Sequence, residues 1–146
     1  IISDLTPQES EILSNFKYRK NKAVIHSDES SMPKNRKAWC SWNSSLNPKN
    51  NQQSSVTYWL NQLQNLKINK NIFLTINPFF NINPDVIYNT IDFTHPYYDQ
   101  KALENQSKLR SIQNINNTLY AGSYFGYGFH EDGIKSSIEM LKTLND

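Results

Sequence analysis

The four glycines of this 146-residue chain all lie within twelve positions, at Gly122, Gly126, Gly128 and Gly133. Average usage of about 7% predicts about ten glycines spread along a chain of this length. Glycine allows backbone conformations and close approaches that any side chain would forbid. The clustering therefore predicts that residues 122–133 form a sharply turning loop, or a loop that comes close to another group.

The residues on either side of this loop predict a strand before it and a helix after it. The apolar run 118–121 is typical of a short strand. A helix is expected from about Asp132, with a buried stripe made by Ile134, Ile138, Leu141 and Leu144. A helix begins with unpaired N–H groups and a partial positive charge, and a glycine-rich loop lets an anion or a polar ring edge approach them. The order strand, loop, helix therefore favours a binding device.

Elsewhere, the patterns predict a mixture of strands and helices. A short helix is expected after an N-cap at Thr6, with Pro7 in its first turn and Glu9 completing a capping box. Strands are expected at 16–26, 38–42, 72–76 and 86–93, and helices at 56–66 and 98–112. The first two strands are expected to pair antiparallel, and the polar stretch 43–55 is expected to be an exposed loop. The predicted fold class is α/β.

Composition excludes several classes of function. The net charge of +2 is too small to predict a nucleic-acid partner, and no apolar run is long enough for a transmembrane helix. The single cysteine, Cys40, excludes an internal disulfide and any multi-cysteine zinc site. Because there is no basic and apolar leader, we expect a cytoplasmic protein, with peripheral membrane association as the alternative.

The string GYGFHEDG, from Gly126 to Gly133, gives a more specific expectation. With the preceding Ala121-Gly122 pair it resembles the C-terminal flavin-contacting segment of the amine-oxidase-like FAD-dependent oxidoreductases. Within that superfamily the chain looks most similar to a bacterial group of predicted NAD/FAD-binding proteins, which is related to the flavin domain of plant cyclopropane-fatty-acid synthases. Supporting stretches are 23–28, 32–39, 41–43, 56–59 and 94–96.

The resemblance implies FAD as the cofactor and a set of residues that contact it. Gly122 would lie near the ribityl phosphate, and residues 129–133 would lie along the flavin ring, with their backbone N–H groups stabilising negative charge on the reduced flavin. Many relatives have an acidic residue after the first glycine, where this chain has Ser123 and Tyr124. The implied cofactor-binding residues are Gly122, Ser123, Gly128, Phe129, His130, Glu131, Asp132 and Gly133.

The resemblance also implies that the chain is the C-terminal part of a larger enzyme. The GxGxxG fingerprint of an FAD-binding lobe is missing from these residues and would lie in an N-terminal Rossmann-like lobe of the same protein. Residues 1–97 would then belong to a substrate-binding lobe, and 98–146 to the FAD-binding lobe. The full-length enzyme would pass a hydride from an apolar substrate, such as a lipid acyl chain, to the flavin. The fragment alone would be inactive.

Other interpretations of the same residues remain open. The chain could be a non-catalytic remnant or interaction module without flavin, or a nucleotide-binding domain for another phosphate ligand. His130 could act as a general acid or base, although a structural role is the more common one for such a residue. His26, Asp28 and His95 lack the spacing of metal ligands, so we expect no metal. Cys40 is expected to be a small buried residue on the strand face that it shares with Trp42.

Overall fold

Within residues 2–144, which the computed structural model describes, the chain forms a mixed α/β fold with five strands and four helices. The predicted fold class is therefore confirmed. The strands are β1 (Lys17–His26), β2 (Trp42–Asn47), β3 (Asn50–Trp59), β4 (Phe73–Ile76) and β5 (Ile87–Tyr97). The helices are α1 (Pro7–Leu13), α2 (Leu60–Leu63), α3 (Gln100–Gln106) and α4 (His130–Lys142).

The chain divides into two compact units. One unit, called here the terminal unit, holds the chain up to Arg19 together with the chain from His95 onward. The other, called here the central unit, is Lys20–Thr94. The sequence predicted a change of lobe near residue 97, and it did not predict that the first residues would join the C-terminal segment. The assignment of one lobe to substrate and the other to FAD stays a prediction.

One antiparallel sheet runs in the order β2-β3-β4-β1-β5. The short strand β4 lies at its centre, where Thr75 pairs with Val24 of β1 on one side and with Thr57 of β3 on the other. Because β4 has a neighbouring strand on each side, its residues Phe73 and Thr75 are both fully buried. The predicted strands at 16–26, 72–76 and 86–93 are confirmed as β1, β4 and β5.

The predictions for residues 43–66 are wrong. The supposed exposed loop is the hairpin of β2 and β3. The first four residues of the supposed amphipathic helix, 56–59, are the end of β3, and only α2 is helical. Two causes explain the error. Residues 56–59 are β-branched or aromatic, so they suit a strand as well as a helical stripe. They also pair with β2 and β4 on both sides, and that pairing satisfies their backbone groups.

The predicted strand at 38–42 is also wrong. Arg36–Ala38 forms a 3₁₀ turn and β2 begins only at Trp42, so the expected pairing with β1 does not occur; β1 pairs with β4 instead. The side chain of Asn43 stabilises this irregular path by accepting from the Cys40 N–H and donating to the Cys40 carbonyl. Cys40 and Trp42 are both exposed, contrary to the expected burial.

In the terminal unit, the predicted cap of α1 is confirmed. Thr6 accepts a hydrogen bond from the Glu9 N–H, and the Glu9 carboxylate accepts one from the Thr6 N–H. The helix predicted at 98–112 is present as α3 followed by a 3₁₀ segment, Ser107–Ile112. The core of this unit packs together Ile12, Leu109, Ile112 and Tyr120.

The strand predicted at 118–121 does not form, because its only pairing is an isolated bridge between Ile115 and Thr118. The Gln113 side chain occupies the backbone groups that a neighbouring strand would need: it accepts from the Tyr120 N–H and donates to the Tyr120 carbonyl. A glycine loop therefore connects an irregular segment, and not a strand, to α4.

Helix α4 begins at His130, two positions before the predicted start, and its predicted buried stripe is wrong. The residue that it buries is Ser136, whereas the apolar stripe is more than half exposed: Ile134 57%, Ile138 52%, Leu141 52% and Leu144 57%. No helix of the described residues has the length and apolar character needed to cross a membrane. Nothing within this part of the chain covers the apolar face of α4.

Candidate functional site

Two glycines of the loop adopt backbone conformations that require glycine. Gly122 has a φ of 155° and Gly128 a φ of 93°. A Cβ atom at Gly122 would lie 2.6 Å from Cε1 of Tyr124, and one at Gly128 would lie 3.0 Å from the hydroxyl of Tyr98. The sharp turning predicted from the glycine cluster is therefore present at these two positions.

Of the other two glycines, Gly126 is required for space and Gly133 is not. A Cβ at Gly126 would collide with the carboxylate of Asp132, so the loop needs this glycine for space. At Gly133 the nearest atom to a Cβ would be the Ser123 backbone nitrogen at 3.8 Å, an ordinary contact distance. A methyl group is therefore tolerated at Gly133.

The carboxylate of Asp132 fixes the loop against the start of α4. Its Oδ2 atom accepts hydrogen bonds from the N–H groups of Tyr127 and Phe129, each at 3.0 Å. Phe129 is the N-cap of α4, so Asp132 supplies the return half of a capping box, from the third helical position to the cap backbone. This contact gives the acidic residue a structural role at the place where the helix begins.

Three residues that sequence reasoning did not select hold the loop from the other side. The side-chain amide of Gln106 donates to the carbonyls of Tyr124 and Gly126. The Ser136 hydroxyl accepts from the Gly122 N–H at 2.9 Å, and the Tyr98 hydroxyl donates to the Ser123 carbonyl at 3.4 Å. No local pattern marks these residues, because their role depends on tertiary contact with a loop 14 to 25 positions away.

Burial affects two tyrosines of the site. It raises the pKa of Tyr124 to about 12 and also raises the pKa of Tyr98. Both phenols are therefore protonated at neutral pH. Tyr98 can donate its hydrogen bond to the loop, and the Tyr124 ring packs against Phe16 with ring centroids 5.3 Å apart.

The surface of the loop presents aromatic side chains and two backbone donors. Tyr127 is 78% exposed and Phe129 69% exposed. In the first turn of α4, the N–H groups of Asp132 and Gly133 both donate to the Phe129 carbonyl. The N–H groups of His130 and Glu131 have no acceptor among residues 2–144. At the beginning of the helix, some N–H groups are thus bonded within the chain, and two remain available as donors.

The structure brings together all eight predicted site residues, in one loop and one helical turn. Fewer of their N–H groups are available to a ligand than expected, because those of Phe129, Asp132 and Gly133 already have acceptors within the chain. Glu131 forms an exposed ion pair with Lys135, with 3.6 Å between their charged atoms. The Ser123 hydroxyl makes no hydrogen bond within the described residues, so it remains free to contact a ligand.

An open cleft of about 1060 Å³ adjoins the loop on its Gly126 side. Its walls are the segment 106–113 and one face of α4, so the cleft lies within the terminal unit. The lining mixes basic side chains, Arg110 and Lys135 among them, with the apolar side chains of Phe125 and Met140. Sequence reasoning did not predict this cleft, because its two walls come from separate helical segments.

The other histidine candidates, His26 and His95, each make local hydrogen bonds. His26 is fully buried in the central unit, where its Nδ1 accepts from the Asp28 N–H and its Nε2 donates to Thr75. His95 is exposed and bonds to the neighbouring carbonyl of Pro96. Residues 2–144 contain no group of three or more His, Cys, Asp or Glu side chains placed to hold a metal ion.

No protein-family model matches the chain, and no curated protein matches it. The resemblance to flavoproteins therefore depends on the motif residues themselves, and its consequences are taken up as a proposal.

Proposed function

We propose that this chain is the C-terminal part of an FAD-dependent oxidoreductase and that the loop from Gly122 to Gly133 contacts the flavin. The observation that carries the proposal is the combination of a fixed backbone with an exposed surface. Asp132 and Gln106 hold the loop through four hydrogen bonds, yet Tyr127 and Phe129 are directed outward. A simple connection between elements needs neither exposed rings nor two glycine-only conformations.

The donors that remain open fit the polar edge of a flavin. The His130 and Glu131 N–H groups lie at the positive end of a 13-residue helix, where carbonyl or anionic oxygens are favoured. The absence of a side chain at Gly128 and Gly126 lets Tyr98 and Asp132 pack closely against the loop backbone and hold it in place. In this proposal the N–H groups orient the ring, and the exposed aromatic side chains exclude water from it.

The bound FAD would supply the redox chemistry by accepting a hydride from the substrate. The residues of this chain would bind and position it, and none of them is assigned as a base. The apolar substrate suggested by the resemblance, such as a lipid acyl chain, belongs to the proposal and not to the geometry of the loop.

The exposed apolar face of α4 supports the same proposal. On α4, Ile134, Ile138 and Leu141 are each more than half exposed, as is Leu144 just beyond its end, and such apolar surface is costly to leave in water. A lobe with the GxGxxG fingerprint, encoded in the same polypeptide, would cover this face and complete the FAD site. An isolated interaction module would not need the glycine loop next to it.

A backbone substitution tests the proposal in the polypeptide that carries this chain. His130→Pro removes one open N–H group at a helix position where proline fits, since Phe129 before it is already extended (φ −85°, ψ 160°). His130→Ala removes the same side chain and keeps the N–H group. We expect His130→Ala to retain flavin and His130→Pro to bind it about tenfold more weakly, the effect of one lost hydrogen bond.

The measurements are the flavin absorption bands of the purified protein and the affinity of the apoprotein for added FAD. A colourless polypeptide that ignores added FAD would contradict the proposal and favour a non-catalytic module. Equal affinities of the two variants would contradict the assigned role of the helix start. Loss of turnover in His130→Ala with flavin still bound would make His130 a catalytic residue.

A further inference from the structure

We propose that the cleft between segment 106–113 and α4 binds an organic anion: a phosphate or carboxylate head group attached to an apolar body. The cleft has walls from two helical segments, and its volume of about 1060 Å³ is at the upper end of the usual range for small-molecule sites. This inference concerns a second binding site beside the loop and does not depend on flavin.

The cations of the cleft differ in whether they form a salt bridge. Lys142 pairs with Glu139, and Lys135 pairs with Glu131. Arg110 forms no salt bridge with any residue of the described chain, although its charge contributes to lowering the pKa of Glu139, after the stronger effect of Lys142. A guanidinium of this kind can bind a phosphate or carboxylate through two parallel hydrogen bonds.

The acidic and amide side chains of the lining already have partners within the chain. Asp132 accepts hydrogen bonds from two N–H donors, and Glu139 pairs with Lys142. The side-chain amides of Gln106 and Gln113 are committed to backbone groups of the loop and of Tyr120. Arg110 is therefore the cation of the cleft that is available for a head group.

In this proposal the apolar part of the ligand packs against Phe125 and Met140. Both side chains line the cleft and are only half-buried, so apolar surface remains to be covered. Methionine adapts its shape to irregular ligands because its side chain is unbranched and polarisable. An anion without an apolar body would leave this surface in water.

The test uses hexyl phosphate, hexanol and inorganic phosphate as probes for calorimetric titration of the full polypeptide. We expect hexyl phosphate to bind more tightly than either of the other two, and more weakly at high salt. Arg110→Gln should weaken hexyl phosphate binding at least tenfold, the usual effect of losing a charged hydrogen bond. Lys108→Gln is the matched control, since Lys108 is an exposed cation of the same segment outside the cleft lining.

A second variant separates the apolar contribution. Met140→Gln keeps the size of the side chain and should weaken the binding of hexyl phosphate while leaving that of inorganic phosphate unchanged. Binding of hexanol as tight as that of hexyl phosphate, equal losses in Arg110→Gln and Lys108→Gln, or no binding of any probe would each overturn the inference. Hexanoate in place of hexyl phosphate distinguishes a carboxylate from a phosphate ligand. A colourless protein that still binds hexyl phosphate would separate this site from the flavin proposal.

Discussion

At the scale of single residues, asparagine explains why glycine is so rare in this chain. Five non-glycine residues in the described structure have a positive φ, and all are asparagines: Asn65, Asn77, Asn114, Asn116 and Asn117. Asparagine tolerates the left-handed region better than other residues with side chains. Gly122 and Gly128 lie outside the range that asparagine adopts here, which is 49° to 59°. Glycine is therefore retained where asparagine does not suffice.

The tight turn at Asn116 and Asn117 provides a test of this explanation. Both central residues have a positive φ, as a type I′ turn requires, and the Thr118 N–H donates to the Ile115 carbonyl. Asn117→Ala should lower the free energy of unfolding by about 1 kcal/mol, because alanine is strained in this region. Asn117→Gly should leave it equal or higher. Urea unfolding followed by circular dichroism measures both, and equal effects of the two variants would contradict the explanation.

At the scale of elements, the predictions succeeded where local signals and tertiary contacts agree. The Thr6 cap and the apolar run of β4 each have a sufficient local cause, and α3 begins near the predicted position, where the structure shows Asp99 as its cap. They failed for residues 43–66, where the composition of β2 and β3 is typical of a loop and the stripe is typical of a helix. Strand pairing on both sides of β3 decides that region, and pairing is not a local property.

Helix α4 shows the same limit in its orientation. The stripe of Ile134, Ile138 and Leu141 correctly indicates an amphipathic helix, but small residues and not this stripe face the loop. Ser136 faces the loop and accepts a hydrogen bond from the Gly122 N–H. A sequence pattern identifies an apolar face without saying what covers it.

The exposed stripe leads to a prediction for the 146-residue chain. Ile138→Glu should change the free energy of unfolding by no more than about 0.5 kcal/mol, because this side chain is already 52% exposed. Ile112→Glu should prevent folding of the terminal unit, because Ile112 is fully buried in its core. Thermal unfolding measured by circular dichroism compares the two. Unfolding by Ile138→Glu in this chain would contradict the exposure of the stripe.

At the scale of the whole molecule, the sequence predicted the position of the candidate site but not the contacts that build it. The glycine cluster located the loop, and the acidic residues marked the start of α4. The partners that hold the loop, Gln106 and Ser136, and the cleft beside it arise from contacts between segments distant in sequence. The first residues of the chain likewise join the C-terminal segment, which no local pattern indicated.

The central unit contains a buried polar network whose protonation is fixed by its geometry. His26 accepts from the Asp28 N–H at Nδ1, 3.1 Å away, so its proton lies on Nε2 and is donated to the Thr75 hydroxyl at 2.8 Å. Thr75 and Thr57 are joined by a further hydrogen bond of 2.9 Å. Burial lowers the pKa of His26, although the charge of Asp28 opposes the effect. The folded state therefore favours neutral histidine.

This preference makes the stability of the central unit depend on pH. Because the pKa of His26 is lower in the folded state than its ordinary value of 6.5, the unfolded chain binds the proton first as pH falls. The contribution of His26 is complete above pH 6.5 and is lost progressively below it, with a slope of at most about 1.4 kcal/mol per pH unit. Carboxyl groups whose pKa is lowered in the folded state, such as that of Asp28, change the stability at lower pH, near their ordinary pKa of 3.8.

Urea unfolding followed by tryptophan fluorescence reports on this unit, since Trp39, Trp42 and Trp59 all lie within it. His26→Gln keeps a donor and removes the titration, so its stability should not fall between pH 6.5 and the carboxyl range; the same fall in both proteins would show that His26 is not its cause.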